Sequence, residues 1–402
     1  MKPILVCLVF AALPSIVRAQ DSTSNAPDTS YVDYKESPIS LPLGVGLRLP
    51  SYDRVNGLSI PWGPQLNVGD EVLQADALVT YRSNLGKWDP SIEGFVHPGD
   101  NNEIRLSGGR GTYSNDSWIR SDFANSVAAI GVGSDSRNYY RGDRGAARFT
   151  RRIAMNTLTL TPFIGGNIER DWSTGSIAPL KSPWSFFGRK GLLKMRRPNP
   201  RVENGRIESI LGGTGIEVVS GGVDAKLDAS VEHSVKTSLN ADCSGFPNDA
   251  ACIAVGHAFT QVTLHGRAQF PTFGTQTFSF LGHAVLTGSD PAPPQRFAYL
   301  GGSGTLATVN LLALGGDRLL YLQADYMVPI DKITLPYVGS PFIDLRYAAG
   351  NAGEGSLPPL IQNLGIGVGV SFFRADYTID PATNRSPFSR RSDFSVGVSL
   401  PL

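Results

Sequence analysis

The 402-residue sequence lacks any apolar run long enough to form a transmembrane helix. Its main apolar run, near the start, covers only about ten residues, whereas a membrane-spanning helix needs about 18 or more. Charge is nearly balanced, with 36 Lys and Arg against 35 Asp and Glu, and this gives no indication of nucleic-acid binding. The five histidines do not have the spacing of metal ligands. The sequence also contains no Gly-x-Ser-x-Gly nucleophile motif. We therefore expect no catalytic residue, no metal and no cofactor.

The N-terminal residues indicate export. Lys2 supplies a positive charge, an apolar core follows, and Ala19 ends a Val-x-Ala site, so residues 1–19 are predicted to be a cleaved signal peptide. Residues 20–39, rich in Ser, Thr, Asp and Pro, are predicted to be a flexible periplasmic lead-in. Residues 40–402 then form the predicted folded domain.

Apolar and polar residues alternate again and again along this domain. Every even position from Phe394 to Leu402 is apolar, which is the period of a strand with one apolar face. The segments 41–49, 73–82 and 364–372 show the same alternation, and several strands carry charges on the second face. Only helices and closed barrels satisfy every backbone hydrogen bond in lipid. The sequence therefore predicts an all-β fold, an antiparallel transmembrane β-barrel with a wet lumen.

Counting the alternating segments gives sixteen strands. They are predicted at 40–50, 57–66, 71–83, 88–97, 102–113, 144–154, 157–171, 205–220, 222–236, 253–269, 273–287, 317–331, 339–349, 362–372, 374–380 and 392–402. With a periplasmic N-terminus, every long connection lies outside the cell and the other connections are short turns, as in outer-membrane barrels. The turn near Phe373 has neither Gly nor Pro, so fourteen strands is the alternative count.

Residues 288–330 resemble part of a known superfamily. A Phe-x-x-x-Gly-Gly stretch leads to Gly-Gly-Asp and to a strand that ends in Asp-Tyr-x-x-Pro. The motif residues are Phe297, Gly301, Gly302, Gly315, Gly316 and Asp317. This order is similar to the sixth external loop, here called loop six, of the BamA-type superfamily of sixteen-stranded outer-membrane barrels. Segments 52–58, 135–140 and 373–377 resemble other parts of its surface-antigen relatives.

The resemblance implies a loop six that folds into the lumen, but two features depart from the pattern. In insertases and translocators of that superfamily, an Arg at the tip of loop six pairs with an acidic residue on the barrel wall. The tip here is Ala307-Thr308-Val309, and Arg296 and Arg318 are candidate replacements away from the tip. The periplasmic repeats that receive client chains are also expected to be missing.

Two external loops carry further candidate residues. In an oxidising compartment, Cys243 and Cys252 are expected to form a disulfide across a short loop. Loop 174–203 is basic and aromatic. Its candidate contacts with lipopolysaccharide phosphates are Arg189, Lys190, Lys194, Arg196 and Arg197. The alternative is that this loop is solvated, or folds into the lumen against acidic wall residues.

The resemblance implies a non-enzymatic barrel of the cell outer membrane. Its expected role is outer-membrane biogenesis, or insertion or translocation of protein or lipid, with outer-membrane lipids, a client polypeptide or a periplasmic protein as partners. A passive pore or structural barrel is the second hypothesis. A barrel hydrolase is the third, and the scattered histidines support it poorly.

Overall fold

A computed structural model describes residues 39–69, 72–174, 185–186, 197–240, 258–288, 290–333, 339–370, 373–382 and 387–398. These residues form an antiparallel β-barrel with one α-helix, α1 (Asp122–Val132), and two 3₁₀ helices, Pro42–Gly44 and Pro294–Arg296. None of the described helices is long and apolar enough to cross a membrane.

The strands follow one another in chain order. The first are β1 (Ile39–Ser40), β2 (Ser51–Asp53), β3 (Gly57–Trp62), β4 (Gln65–Val68), β5 (Leu73–Arg82), β6 (Lys87–Val96) and β7 (Asn102–Tyr113). The central ones are β8 (Tyr140–Arg151), β9 (Ile153–Met155), β10 (Leu158–Ser173), β11 (Asn204–Ser220), β12 (Val223–Asn240), β13 (Thr260–Pro271) and β14 (Thr277–Thr287). The last are β15 (Ala298–Leu300), β16 (Leu314–Gly316), β17 (Arg318–Pro329), β18 (Pro341–Gly353), β19 (Ile361–Val370), β20 (Phe373–Ile379) and β21 (Ser392–Val398).

From β5 onward, the wall strands pair antiparallel in chain order, except that β8 and β9 both pair with β10. β15 and β16 form a separate hairpin inside loop six, so β14 pairs directly with β17. Within the described ranges, no ladder joins the first strands to β21. Pairing between the two ends of the sheet would close the barrel and settle the number of strands. The count of sixteen therefore stays a prediction.

Alternation places apolar side chains on the outer face of the wall. In β19, Leu364, Ile366 and Val368 are exposed, and glycines occupy the positions between them. In β10, Ile164 and Ile168 are exposed, whereas Glu169 is buried. A soluble protein rarely exposes so continuous an apolar surface, whereas a barrel wall in lipid requires it.

The first predicted strand, 40–50, is wrong as a continuous strand. The side chains at 41, 43, 45, 47 and 49 are exposed as the alternation predicts. The backbone, however, turns through the 3₁₀ helix, where Leu43 has a positive φ of 56°. Between β1 and β2, the backbone pairs through one isolated bridge, from Leu47 to Trp62, beside which Trp62 Nε1 donates to the Val45 carbonyl at 2.7 Å. The first edge of the sheet is therefore weakly paired.

The predicted long loop 114–143 also contains helix α1, which the alternation typical of strands does not predict. Helix α1 begins where Ser121 Oγ accepts a hydrogen bond from the backbone N–H of Ala124, as a helix-capping serine does. It ends at Gly133, which is in the left-handed conformation. Ser and Gly at these positions are a helix signal that could have been found in the sequence.

The outward-facing wall predicts a difference between two charge substitutions in β10. Ile164, near the middle of β10, is 61% exposed, and Ile164→Arg should lower the free energy of unfolding by about 2–4 kcal/mol, the cost of an arginine at the bilayer midplane. The control is Thr161→Arg, since Thr161 lines a cavity together with Asp228. Denaturant titrations in liposomes measure both, and equal losses would contradict this orientation of the wall.

Candidate functional site

Loop six forms a folded plug against the inner wall. Its residues Leu300 and Leu306 are fully buried in an apolar cluster. The wall contributes Leu319, Tyr321 and Ala348 to the same cluster. The lumen is therefore apolar where loop six packs against it, which is the property of a core rather than of a water-filled channel.

The glycines of the loop-six motif allow close approaches of the backbone in this plug. Gly301 has a φ of 121°, and a Cβ there would lie 2.1 Å from the Asn310 carbonyl oxygen. A Cβ on Gly316 would lie 2.1 Å from the carbonyl oxygen of Gly353 in β18. Only glycine fits such close backbone approaches. The second glycine pair thus brings loop six into direct contact with the wall.

The remaining motif residues anchor the base of the loop. The buried Asp317 accepts hydrogen bonds from the backbone N–H groups of Ala292, at 3.3 Å, and Gly355, at 2.8 Å. The Phe297 carbonyl accepts one from Asn115 Nδ2 at 3.0 Å. Asp317 therefore ties loop six to the next external loop, and Phe297 ties it to the loop that carries α1.

Arg296 supplies the charged contact between loop six and the wall. Its Nε and Nη2 each lie 2.8 Å from an oxygen of Glu232 in β12, and Nη2 also pairs with Glu169 in β10. Arg144 Nε lies 2.9 Å from the other oxygen of Glu169. Burial lowers the pKa of Arg296, but Glu169 and Glu232 outweigh this and raise it above the usual range. We call Arg296, Glu169 and Glu232 the clamp.

The tip of loop six is held without charge. Thr308 is fully buried, and its backbone N–H donates to Asn363 Oδ1 at 3.1 Å. Asn363 Nδ2 donates to Thr308 Oγ1 at 2.8 Å, and the Arg390 backbone N–H donates to the Thr308 carbonyl at 2.7 Å. The tip thus reaches β19 and the last external loop. Arg318, the other predicted replacement, instead donates to the Gly288 carbonyl at 3.1 Å.

A second buried network, centred on Arg54, covers the first hairpin. The Arg54 backbone N–H donates to Asp135 at 2.9 Å, and its guanidinium donates to the Arg197 carbonyl at 2.6 Å and the Arg137 carbonyl at 3.2 Å. Asp135 also accepts from Asn125 in α1 at 3.1 Å. Segments 52–58 and 135–140, singled out by the resemblance, therefore meet in one network.

The structure describes one of the five candidate lipopolysaccharide contacts. Arg197 points into the second network, where its guanidinium donates to Asn138 and to the carbonyls of Asp135 and Arg137. Burial lowers its pKa to about 10. Arg189, Lys190, Lys194 and Arg196 lie outside the described residues, as do Cys243 and Cys252.

Two of the five histidines lie next to each other. His265 and His283 are directly opposite each other on β13 and β14, with ring centroids 5.5 Å apart. Trp118 stacks on His283 at 4.1 Å. His233 faces away from Ser234, which is fully buried, and its Nδ1 lies 2.8 Å from Thr260 Oγ1. No cluster of three potential metal ligands occurs within the described residues.

A cavity of about 430 Å³ occupies the lumen between β8 and β13. Small residues such as Ala146 and Gly165 line it, together with Arg148, Asp228 and His265. The Arg148 guanidinium lies 3.5 Å from the centroid of the Phe163 ring, so its charge is partly offset by a cation–π contact. The wall here thus carries a few charged side chains among small and apolar ones, whereas loop six packs on a purely apolar cluster.

Two carboxyl groups around the plug titrate near neutrality. Burial raises the pKa of Asp116 to about 7, although the Asn138 backbone N–H donates to its Oδ2 at 2.8 Å. Burial also raises the pKa of Glu203 to about 7. The Glu203 backbone exchanges hydrogen bonds with the Gln295 side chain in loop six. Both groups are therefore favoured in their protonated form.

This predicts that the loops that pack on the plug, above all the one that carries Asp116 and α1, are more stable in acid. The folded pKa of each carboxyl exceeds its ordinary value, so folding binds protons. The resulting stability is complete below about pH 4 and is lost as pH rises through about 7. Protease cleavage between residues 114 and 139 should speed up from pH 5 to pH 8. Asp116→Asn with Glu203→Gln should flatten that dependence, whereas the exposed Asp122→Asn should retain it; a double variant with an unchanged profile would refute the assignment.

The clamp predicts a large effect for one arginine. Arg296→Ala leaves the buried Glu169 and the partly buried Glu232 short of a partner and should destabilise loop six by about 3–5 kcal/mol, as breaking a buried ion pair does. The urea midpoint for cleavage within loop six measures this. Arg296→Met combined with Glu232→Gln should recover part of the loss, and the control Arg318→Ala should cost under about 1 kcal/mol. Equal effects of Arg296→Ala and Arg318→Ala would contradict the clamp.

No protein-family model and no curated protein sequence matches the chain. Among solved structures, BamA from Haemophilus ducreyi lacking POTRA domains 1–3 matches with a TM-score of 0.52 and 11% identity, over 87% of this chain and 68% of that one. CdiB from Escherichia coli matches with a TM-score of 0.48 and 12% identity, over 88% of this chain and 60% of that one. CdiB from Acinetobacter baumannii gives 0.44 and 12%, over 87% and 58%.

The chain spans about three fifths of the length of the two CdiB chains that it matches. At such low identity the matches concern architecture, and of these three the BamA match has a TM-score above 0.5. It agrees with the antiparallel barrel described above. The chain therefore has the fold of a BamA-like outer-membrane β-barrel.

Proposed function

We propose that this barrel inserts or translocates polypeptide or lipid at the bacterial outer membrane, without enzymatic chemistry. The route is the seam between the first strands and β21 rather than the lumen. The observation that carries this proposal is the contrast between a buried, charge-clamped plug and a weakly paired first edge.

The plug argues against a solute path through the lumen. A passive pore needs a continuous water-filled channel, but Leu300 and Leu306 are buried against the wall. The clamp attaches loop six to β10 and β12, and the tip attaches it to β19. Such a loop does not swing aside without exposing apolar surface and unpairing buried charge.

The seam provides the alternative route. Unpaired strand edges present free backbone N–H and C=O groups, which readily pair with another strand. Here the first edge is interrupted between β1 and β2, and within the described ranges β21 has a ladder only with β20. A client strand or a lipid at this position would meet both an irregular edge and the exposed apolar wall.

A passive or structural barrel is the second candidate. The observation in its favour is the neutral anchoring of Thr308 at the tip, where the superfamily's insertases are expected to use an arginine. A plug fixed in this way, with no moving seam, would leave a purely structural barrel. In both cases the partners are outer-membrane lipids, and Arg189, Lys190, Lys194 and Arg196 of loop 174–203 are proposed contacts for lipopolysaccharide phosphates.

The contacts of the histidines give little support to the hydrolase hypothesis. Nucleophilic catalysis needs a nucleophile, a base and a group that orients the base. His233 reaches only the hydroxyl of Thr260, and His283 stacks on Trp118. Phospholipid hydrolysis by the purified protein remains the direct assay for this alternative.

The test is the folding of a urea-unfolded small barrel into liposomes that contain the purified protein. We expect clear acceleration over empty liposomes, because the seam offers an edge for pairing. Cross-linking Ser51→Cys to Ser392→Cys, in a background with Cys243→Ser and Cys252→Ser, should abolish it. These positions lie in β2 and β21, and linkers of graded length cover their separation.

The matched control cross-links Ser230→Cys to Thr263→Cys, which are directly opposite on β12 and β13. This control should leave the acceleration intact. No acceleration by the uncross-linked protein would reject the autonomous insertase role and favour the structural barrel. Acceleration that survives the seam cross-link would reject the seam as the route.

A further inference from the structure

The outer face of the wall carries a row of charged side chains near the extracellular ends of β7, β8, β10 and β11. In register across these strands, the row consists of Arg110, Asp143, Arg170 and Arg206. The three arginines are exposed, and Asp143 is partly exposed. Arg110 Nε and Nη2 lie 2.6 and 2.8 Å from the two oxygens of Asp143, so that carboxylate is already paired. We call these four residues the outer row.

The outer row places two arginines face to face. Arg170 and Arg206 are directly opposite each other on β10 and β11, and like charges in that position destabilise a sheet. Arg206 Nε lies 3.1 Å from Glu208, whereas Arg170 makes no ion pair with the described residues. Lys236, opposite Glu208 on β12, is a further exposed cation. The patch therefore keeps an excess of positive charge that an anion can neutralise.

The outer row lies just beyond the apolar belt of the wall. In β10 the outward side chains are apolar or small from Leu158 to Ile168. This stretch covers about 33 Å along the strand at about 3.3 Å per residue. At a strand tilt of about 40° it spans about 25 Å of the bilayer, which matches the height of the apolar band of such barrels. Arg170 is the next outward residue, so its guanidinium lies where hydrocarbon gives way to phosphate-bearing headgroups.

Neighbouring residues mark the same boundary. Trp172 is the outward residue after Arg170, and the Arg110 guanidinium lies 5.6 Å from the centroid of its ring. Tryptophan is enriched where a membrane meets water, because its ring is apolar at one end and polar at the other. In β11, the outward residues likewise change from the exposed Ile210 to charged side chains. Two adjacent strands thus leave the apolar belt at one level.

We propose that Arg170 and Arg206, assisted by Lys236, bind a phosphate group of an outer-leaflet lipid. Each planar guanidinium presents paired N–H donors that match phosphate oxygens, and one phosphate between the two arginines turns their repulsion into attraction. A lipid fits better than free phosphate, because the apolar belt directly below the site would contact its acyl chains.

In a bacterial outer membrane, the phosphorylated lipid of the outer leaflet is lipopolysaccharide. This site lies on the strands, apart from the seam and from the contacts proposed for loop 174–203. It rests on the outer-membrane location of the barrel, but it does not depend on the insertase role. Failure of the client-folding test would therefore leave it standing.

The test is binding of bisphosphorylated lipid A to the purified protein in detergent, measured by native mass spectrometry. The variant is Arg170→Gln with Arg206→Gln, and loop 174–203 is left unchanged. The matched control is Arg151→Gln with Arg152→Gln, which removes two exposed arginines at the opposite end of β8. Heat-modifiable gel mobility checks that each variant is folded.

We expect the dissociation constant to rise about tenfold in the Arg170 and Arg206 double variant, because charge-assisted hydrogen bonds are lost. It should change little in the control, and the unaltered protein should bind the same lipid more weakly once its phosphates are removed. Should the double variant fail to fold, Arg170→Glu should weaken binding as well, since it puts a carboxylate opposite Arg206.

Unchanged affinity in the Arg170 and Arg206 variant would overturn the proposal, even if loop 174–203 binds the lipid. An equal loss in the control would also overturn it, because the effect would then be one of overall charge. Displacement of the lipid by an equal concentration of inorganic phosphate would reject the lipid as the ligand.

Discussion

The rest of the structure depends on the ion pairs that Arg296 makes with Glu232 and Glu169. One guanidinium at the base of loop six satisfies carboxylates on two wall strands that are not adjacent, since β11 lies between them. Buried carboxylates left without this partner would be costly, so the wall and the loop require each other. With the base fixed, the hairpin β15–β16 packs its leucines on the wall, and the tip reaches Asn363. The lumen is closed by a folded core rather than by a loose loop.

The plugged lumen and the irregular first edge differ in how firmly their backbones are held. Charge pairing and apolar packing make the interior of the barrel rigid, whereas between β1 and β2 the backbone pairs through little more than one isolated bridge. Conformational change is cheapest where few buried contacts are lost. The stretch between β1 and β2 meets that condition, whereas the plug and the buried Arg54 network beside β2 do not. Helix α1 is bonded to β2 and belongs to that network through Asn125.

Much of the fold was predictable from the sequence, because strand alternation is local. The alternation of Leu364, Ile366 and Val368 indicates an outward face, and the antiparallel barrel predicted from such patterns is confirmed. The BamA-like fold, which the loop-six resemblance implied, is confirmed as well. The motif around Gly301 and Gly316 was also recognisable, since close backbone approach requires glycine. The clamp was not predictable, because it joins Arg296 to residues 64 and 127 positions away in the chain. The prediction of the first strand was wrong for a different reason. Its side chains alternate, yet a 3₁₀ turn separates its backbone from the neighbouring strand.

Single-channel recording in planar bilayers tests the central claim, that loop six is a fixed plug and the lumen is not the route. The account predicts little steady conductance for the intact protein, and large, stable channels once residues 301–314 are replaced by a short glycine and serine linker. Large, stable channels in the intact protein would contradict it, because ions would then pass through a lumen that the clamp and the buried leucines should close.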